Sequence, residues 1–379
     1  MIITRTPYRI SFFGGGTDYH TWYQENGGSV LSTTINYYCT LMCLHKPPFF
    51  EKKHRISWRE IEETDNAEDI KHPAVRAILQ HMDIKRGIEM HYQGDLPARS
   101  GLGSSSSFTV GFLNAMYGLR GQMSTKQQLA AEAVYIEREL LKENVGVQDQ
   151  IAAAYGGFNK IDIHQDGSFD VNPMMASHLR LDELKSNLML FFTGVSRNAT
   201  DVAKDKMKSI PNKKNELNEM QKMVDIASGI LTGSGDINDF GKLLHESWML
   251  KRGLTKDISS VLIDDIYKKA MDAGATGGKL LGAGGGGFLL FFVKPEYQPK
   301  VLAALSDFMW VPFDFERRGS HVAFYSPAKF SRESLLRRDF AHLKEARRSK
   351  NVKNITRFLT DEKPNNVERM TKFGLVENE

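Results

Sequence analysis

Cysteine is almost absent from this chain: only Cys39 and Cys43 occur among 379 residues. Four positions apart in an apolar run, they fit small packed hydrophobes, which excludes a disulfide scaffold. Long hydrophobic runs are missing too. Stretches such as 287–293 and 188–192 fall far short of the roughly 20 residues that cross a bilayer, so no membrane span is expected. The first seven residues lack the basic stretch, long apolar region and small-residue cleavage site of a secretory signal, which predicts a cytoplasmic protein. An excess of positive charge is absent from the main body. Residues 328–379 carry 13 Lys and Arg against 8 Asp and Glu, so of the net +4 the preceding residues keep −1. Nucleic-acid binding leaves a basic footprint, and no such partner is expected. Gly at 32 and Pro at 12 are too few for a collagen-like or low-complexity chain.

What is present, 41% hydrophobic and 25% charged residues, suits two globular cores. Periodicity predicts a strand over 1–13 and two more within 29–44, then a helix at 73–82 and a short strand at 87–92. A Gly/Ser loop at 100–107 leads into a helix at 108–117. A long helix is expected over 125–141 with Ser124 as its cap, a short one over 148–155, and a hairpin over 158–171 turning at Gln165-Asp166-Gly167. A strand at 188–192 is followed by helices near 199–209, 213–230, 238–252 and 259–272. A strand at 288–293, a helix near 297–307 and strands at 310–316 and 320–326 complete the pattern. The expected units are 1–175, 176–328 and a charged helical extension, 329–379. In that extension Leu335, Leu336, Phe340 and Leu343 recur at helical spacing and need a partner surface, on the body or in a homodimer.

Three glycine-rich segments carry the candidate chemistry. In the first, Arg9 and Asp18 flank Gly14-Gly15-Gly16-Thr17, a fixed cation and an acceptor able to grip hydroxyls. The same residues also fit a tight turn in which Asp18 caps the next helix. The second runs from Pro97 through Gly101, Leu102, Gly103, Ser104, Ser105, Ser106 and Ser107 into a helix. Consecutive amides at a helix start form an anion site, and the hydroxyls add donors or ligands for a phosphate-bound metal. The third holds Gly282, Gly284, Gly285, Gly286 and Gly287. Its G-x-G-x-x-G spacing calls for a following helix if it binds a dinucleotide, but an apolar strand follows. A P-loop built on Gly274 and Gly278-Lys279 fails as well, being one residue short with Leu280 in the Ser/Thr position. Between these segments, Glu137 and Asp149 could converge, one on a metal and one on a substrate hydroxyl, though each is also ordinary for a helix.

Together, Pro7-Tyr8-Arg9 with Gly14 to Asp18, the Pro97 to Ser107 loop, Glu137 with Asp149, and Lys279 to Gly287 resemble the GHMP kinase superfamily over about residues 1–328. The resemblance implies an α+β fold of two domains, an N-terminal one like domain 2 of ribosomal protein S5 and a C-terminal ferredoxin-like α/β one. It implies an ATP-dependent sugar kinase in which Pro97 and Gly101–Ser107 cradle ATP, Ser105 and Glu137 hold Mg2+, Asp149 orients or deprotonates the acceptor hydroxyl, and Arg9 stabilises developing charge. Gly16, Thr17 and Asp18 are the implied sugar contacts. Gly15 and Gly16 stand where galactokinases carry Glu and His, which argues against galactose. Thr193-Gly194-Val195-Ser196-Arg197 resembles the heptose 7-phosphate kinase branch, implying a sugar-phosphate acceptor phosphorylated at its anomeric hydroxyl. Arg197, Lys251 and Arg252 are the cations expected to meet the acceptor's own phosphate. Another sugar such as fucose, or a sugar sensor on a kinase scaffold, remains an alternative at this point.

Overall fold

A computed structural model describes residues 1–46, 50–98, 100–195, 213–255 and 258–327. Arg197, the helix expected at 199–209 and the extension 329–379 lie outside the described residues. Two long strands set the frame, β1 (Ile2–Phe13) and β2 (Gly28–His45), joined through α1 (His20–Asn26) and paired antiparallel from Ile2↔Cys43 to Phe13↔Leu31. The two strands expected within 29–44 are one strand. Register shifts at Pro7/Tyr8 and Ser11/Phe13 let so long a ribbon bend without breaking.

The rest of the first half builds on β2. Its early residues pair with β6 (Phe158–Ile163), which continues into β7 (Phe169–Pro173), and its later ones with β5 (Ile88–Gly94). Two short strands, β3 (His54–Ser57) and β4 (Ile61–Thr64), extend the sheet beyond β5, and α2 (Pro73–His81) follows them. Against this sheet pack α3 (Ser104–Leu119) and α5 (Gln148–Tyr155), with α4 (Lys126–Tyr135) packed on those two helices.

α4 is capped by Thr125, whose side chain accepts from the Gln128 amide 3.0 Å away, so the cap is not Ser124. The helix expected through residue 141 changes at Tyr135 into a π-helical turn, Ile136–Leu140. There the Leu141 amide reaches the Ile136 carbonyl, and the widened turn re-aims the side chains that follow.

In the second half, α6 (His178–Ser186) and β8 (Leu188–Phe192) precede α7 (Lys214–Thr232), α8 (Asn238–Arg252) and α9 (Val261–Asp272). Then come β9 (Ala275–Leu280), β10 (Phe288–Val293), α10 (Gln298–Ala304) and β11 (Met309–Trp310). The order β11-β8-β10-β9 makes a wholly antiparallel four-stranded sheet. The segments read as strands at 310–316 and 320–326 are mostly shorter, and β12 (Phe315–Glu316) and β13 (His321–Tyr325) cross back to pair with β2 and β1 of the first sheet. Residues 315–325, read with the second unit, therefore belong by hydrogen bonding to the first. β1 meets α3 and α5 as well as α7 and α8, so Tyr8–Phe13 is buried on both faces, the polar Arg9 and Ser11 included. Cys39 and Cys43 are buried free thiols.

Candidate active site

A cleft of about 550 Å³ opens where β1, the start of α3, the start of α5 and the β9–β10 connection meet. In it the Arg9 guanidinium grips Asp149 with both arms, Nε to Oδ1 at 2.7 Å and Nη2 to Oδ2 at 2.8 Å. Its remaining arm donates to the Gly101 carbonyl at 2.6 Å. Arg9 is buried, and Asp149 keeps a quarter of its side chain exposed toward the cleft. A paired carboxylate retains lone pairs, so Asp149 can still accept a hydroxyl proton.

The phosphate loop owes its shape to backbone packing. Gly101 has φ +85°, and a Cβ there would lie 2.5 Å from the Leu281 carbonyl oxygen; the facing Gly282 is as tightly packed on Gly101 itself. The second and third glycine segments thus meet main chain to main chain, which only glycine permits. Gly103, also left-handed, is the N-cap of α3 and has no side chain to cap it. Ser104, Ser105 and Ser106, the first turn of α3, line the cleft, and a helix N-terminus facing a cavity suits an anion. Of the third motif, Gly282 lines the cleft with Ala283, whereas Gly284 and Gly286 press against the backbone of Ile258 and Val195 and the Gly285 amide donates to Ile258. Two buried lysines hold this corner, Lys251 donating to the Leu280 and Gly282 carbonyls at 2.7 Å and Lys279 to that of Phe12.

Glu137 sits on the π-helical turn and is fully buried. One carboxylate oxygen accepts from Ser106 at 2.9 Å and from Gln150, and the Thr109 hydroxyl also lies near the carboxyl, while Oε1 has no hydrogen bond of ordinary geometry. Burial, with Glu143 adding to it, pushes the carboxyl up to about 8. An orphaned, desolvated carboxylate oxygen beside a hydroxyl suits a hard divalent cation, which would restore the charged form. The serine in contact with it is Ser106; Ser105, expected to share the metal, is exposed one position earlier in the cleft wall.

Other expected contacts divide in two. Asp18 lines the cleft, its Oδ1 accepting from the Gly16 amide at 2.9 Å, and it caps no helix by its side chain. Thr17 is turned inward instead, donating to the Gly14 and Ser29 carbonyls, and neither it nor Gly16 lines the cavity. Leu102 is core, although its carbonyl receives the Arg9 amide, and Ser107 donates to Pro7. Pro97 is outside the lining as well, and Arg252 pairs with Asp264 away from it. Sequence reasoning missed an aromatic wall. His72 stacks on Phe108 with centroids 4.5 Å apart, and Trp58 meets His72 edge-on at 4.7 Å. Burial holds His72 down to about 4, so the ring is neutral and its Nδ1 accepts from Val75. Nothing in the spacing marks these residues, because α2, α3 and β3 bring them together from distant parts of the chain.

A family model described as the GHMP kinases N terminal domain matches residues 69–157, and the GHMP kinases C terminal model matches 226–309. The D-glycero-alpha-D-manno-heptose 7-phosphate kinase of Campylobacter jejuni is 32% identical over 80% of this chain and 93% of its own length. The chain belongs to the GHMP kinase family. Among solved structures, this kinase resembles a D-glycero-D-manno-heptose 1-phosphate kinase from Bacteroides thetaiotaomicron with a TM-score of 0.69 and 25% identity, covering 86% of this chain and all of that one. It is also 27% identical, over 80% of its length, to the L-fucokinase/L-fucose-1-P guanylyltransferase of Bacteroides fragilis, of which it spans 36%. The family's members are ATP-dependent kinases, and the cleft just described spans the same three glycine segments. No helix among the described residues is long and apolar enough to cross a membrane.

Proposed function

We propose that this kinase transfers the γ-phosphoryl group of ATP to the anomeric hydroxyl of D-glycero-D-manno-heptose 7-phosphate. That reaction lies on a cytoplasmic route to nucleotide-activated heptose for bacterial surface polysaccharide. The observation that carries the reading is the Arg9–Asp149 pair tied to the Gly101 carbonyl, because it joins an acceptor-facing carboxylate directly to the phosphate loop. The heptose kinase relatives support the choice of sugar.

Phosphoryl transfer needs alignment and charge neutralisation more than covalent chemistry. In this reading the amides of Gly103 to Ser106 receive the ATP phosphates, and the purine lies against the Trp58–His72 wall. Asp149 accepts the hydrogen bond of the attacking hydroxyl, fixing its lone pair toward phosphorus. An anomeric hydroxyl is more acidic than an ordinary alcohol, so orientation is the larger part of that role. Arg9 shares the charge that develops across Asp149 and the sugar oxygen. The Ser106–Glu137 pair would hold Mg2+, which supplies charge neutralisation to the phosphates when bound. Lys251 ties α8 to the third glycine motif through the Leu280 and Gly282 carbonyls, and Lys279 ties β9 to β1 through that of Phe12. Asp18 faces the acceptor.

The test is ATP turnover with heptose 7-phosphate, the unphosphorylated heptose and L-fucose, with 31P NMR to locate the new phosphate. Preferential turnover of heptose 7-phosphate to a 1,7-bisphosphate is expected. Faster turnover of fucose, or phosphate on another carbon, would overturn the assignment.

A further inference from the structure

Two polar side chains next to the reacting pair lack partners for buried atoms. Ser11 follows Arg9 two residues along β1, so the pleat puts both on one face, and Gln148 directly precedes Asp149 at the start of α5. Ser11 is 6% and Gln148 8% exposed, and both line the cleft. Neither Ser11 Oγ nor Gln148 Oε1 has a hydrogen-bond partner. Native interiors seldom leave such groups unsatisfied without a use for them.

Gly15 lies between the two. A Cβ on it would stand 3.6 Å from Ser11 Oγ and 3.8 Å from Gln148 Nε2, both ordinary contact distances, with no closer obstruction. The bare Cα of Gly15 therefore opens a space about one methyl wide, walled by a hydroxyl on one side and a carboxamide on the other. We infer that Ser11, Gln148 and Gly15 form a hydroxyl-recognition subsite of the acceptor pocket. It takes a second hydroxyl of a polyol while Asp149 holds the first. The inference rests on the sugar-kinase reading and deepens it.

The chemistry selects for a hydroxyl. Serine can donate or accept, and the carboxamide donates through Nε2 and accepts through Oε1. A hydroxyl answers both, whereas a deoxy position leaves them orphaned and a carboxylate meets the Gln148 oxygen lone pairs. Sites that hydrogen-bond a substrate hydroxyl reject analogues lacking it far more strongly than apolar pockets discriminate by shape.

The experiment compares wild type with Gly15→Ala, Ser11→Ala and Gln148→Leu. Gly15 has no left-handed φ and an added Cβ meets nothing closer than 3.6 Å, so its alanine variant folds and places a methyl in the subsite. Acceptor KM is measured with heptose 7-phosphate, L-fucose and monodeoxy analogues, and acceptor binding is measured by calorimetry. Each variant is expected to raise KM and Kd for the preferred acceptor about tenfold or more, with ATP KM within twofold. One monodeoxy analogue should bind wild type and Ser11→Ala equally, a compensation that a merely structural role would not give. Unchanged acceptor KM in Gly15→Ala and Ser11→Ala, in an otherwise active enzyme, overturns the subsite and leaves the kinase reading standing. The absence of any deoxy compensation also overturns it. A wild type that neither binds nor turns over any of these polyols overturns both.

Discussion

Replacing Glu137 by Gln tests the most perturbed carboxyl near the cleft. The wild-type group is fully buried, and burial raises it from its ordinary 4.5 to about 8. Below pH 4.5 both folded and unfolded chains hold the proton, and the stabilisation linked to it is complete. Between 4.5 and 8 the unfolded chain releases the proton while the folded one keeps it, so stability falls as pH rises, and above 8 the contribution is gone. At roughly 1.4 kcal/mol per pKa unit, the ceiling is about 5 kcal/mol, and structural relaxation makes the observed value smaller. Glutamine keeps the volume and carries no charge, so Glu137→Gln is expected to abolish this slope. The metal-free variant then becomes more stable than wild type near pH 8. The assay is thermal unfolding from pH 5 to 8.5 in EDTA, read as the difference between the two proteins. Taking the difference removes the buried His54 and the half-buried His45 and His72. Burial lowers each of them to about 4, and they lose stability as pH falls below 6.5. Added Mg2+ should stabilise wild type at pH 8 and leave Glu137→Gln unmoved. A flat difference curve between pH 6.5 and 8 would refute the reasoning, as would an equal response of both proteins to Mg2+.

Three further outcomes are expected. Asp149→Asn keeps the volume but loses the anionic acceptor, so kcat should drop by about 10²–10⁴ with ATP affinity within twofold; near-wild-type kcat would remove Asp149 from the chemistry. Gly101→Ala forces a side chain into a left-handed φ and within 2.5 Å of the Leu281 carbonyl. A loss of about 1–3 kcal/mol in stability, together with weakened ATP binding, is expected, and an unchanged Tm would show that the two glycine segments tolerate separation. Trp58→Ala should raise ATP KM roughly five- to tenfold and leave acceptor KM alone; the reverse pattern would assign the aromatic wall to the sugar.

Much of this protein was written in its local sequence. The three glycine segments and the strand after Gly287 that rules out a dinucleotide turn are legible from residue type and spacing. Local backbone rules set them, and these act over a few residues. Spacing set Arg9 beside Asp18, whereas the contact of Arg9 with Asp149 appears only in the fold. Tertiary structure decided the rest. The π-helical turn that carries Glu137, in contact with Ser106, goes unmarked in the sequence because it ends the helix at Leu140 and leaves no later turns in which a shifted period would show. The return of 315–325 to the first sheet is a non-local pairing, invisible to any window of sequence. The Trp58–His72–Phe108 wall and the Ser11–Gly15–Gln148 subsite likewise join residues far apart in the chain. What distinguishes such residues from ordinary core or surface is what they face, and that exists only once β1, α3 and α5 have been packed together.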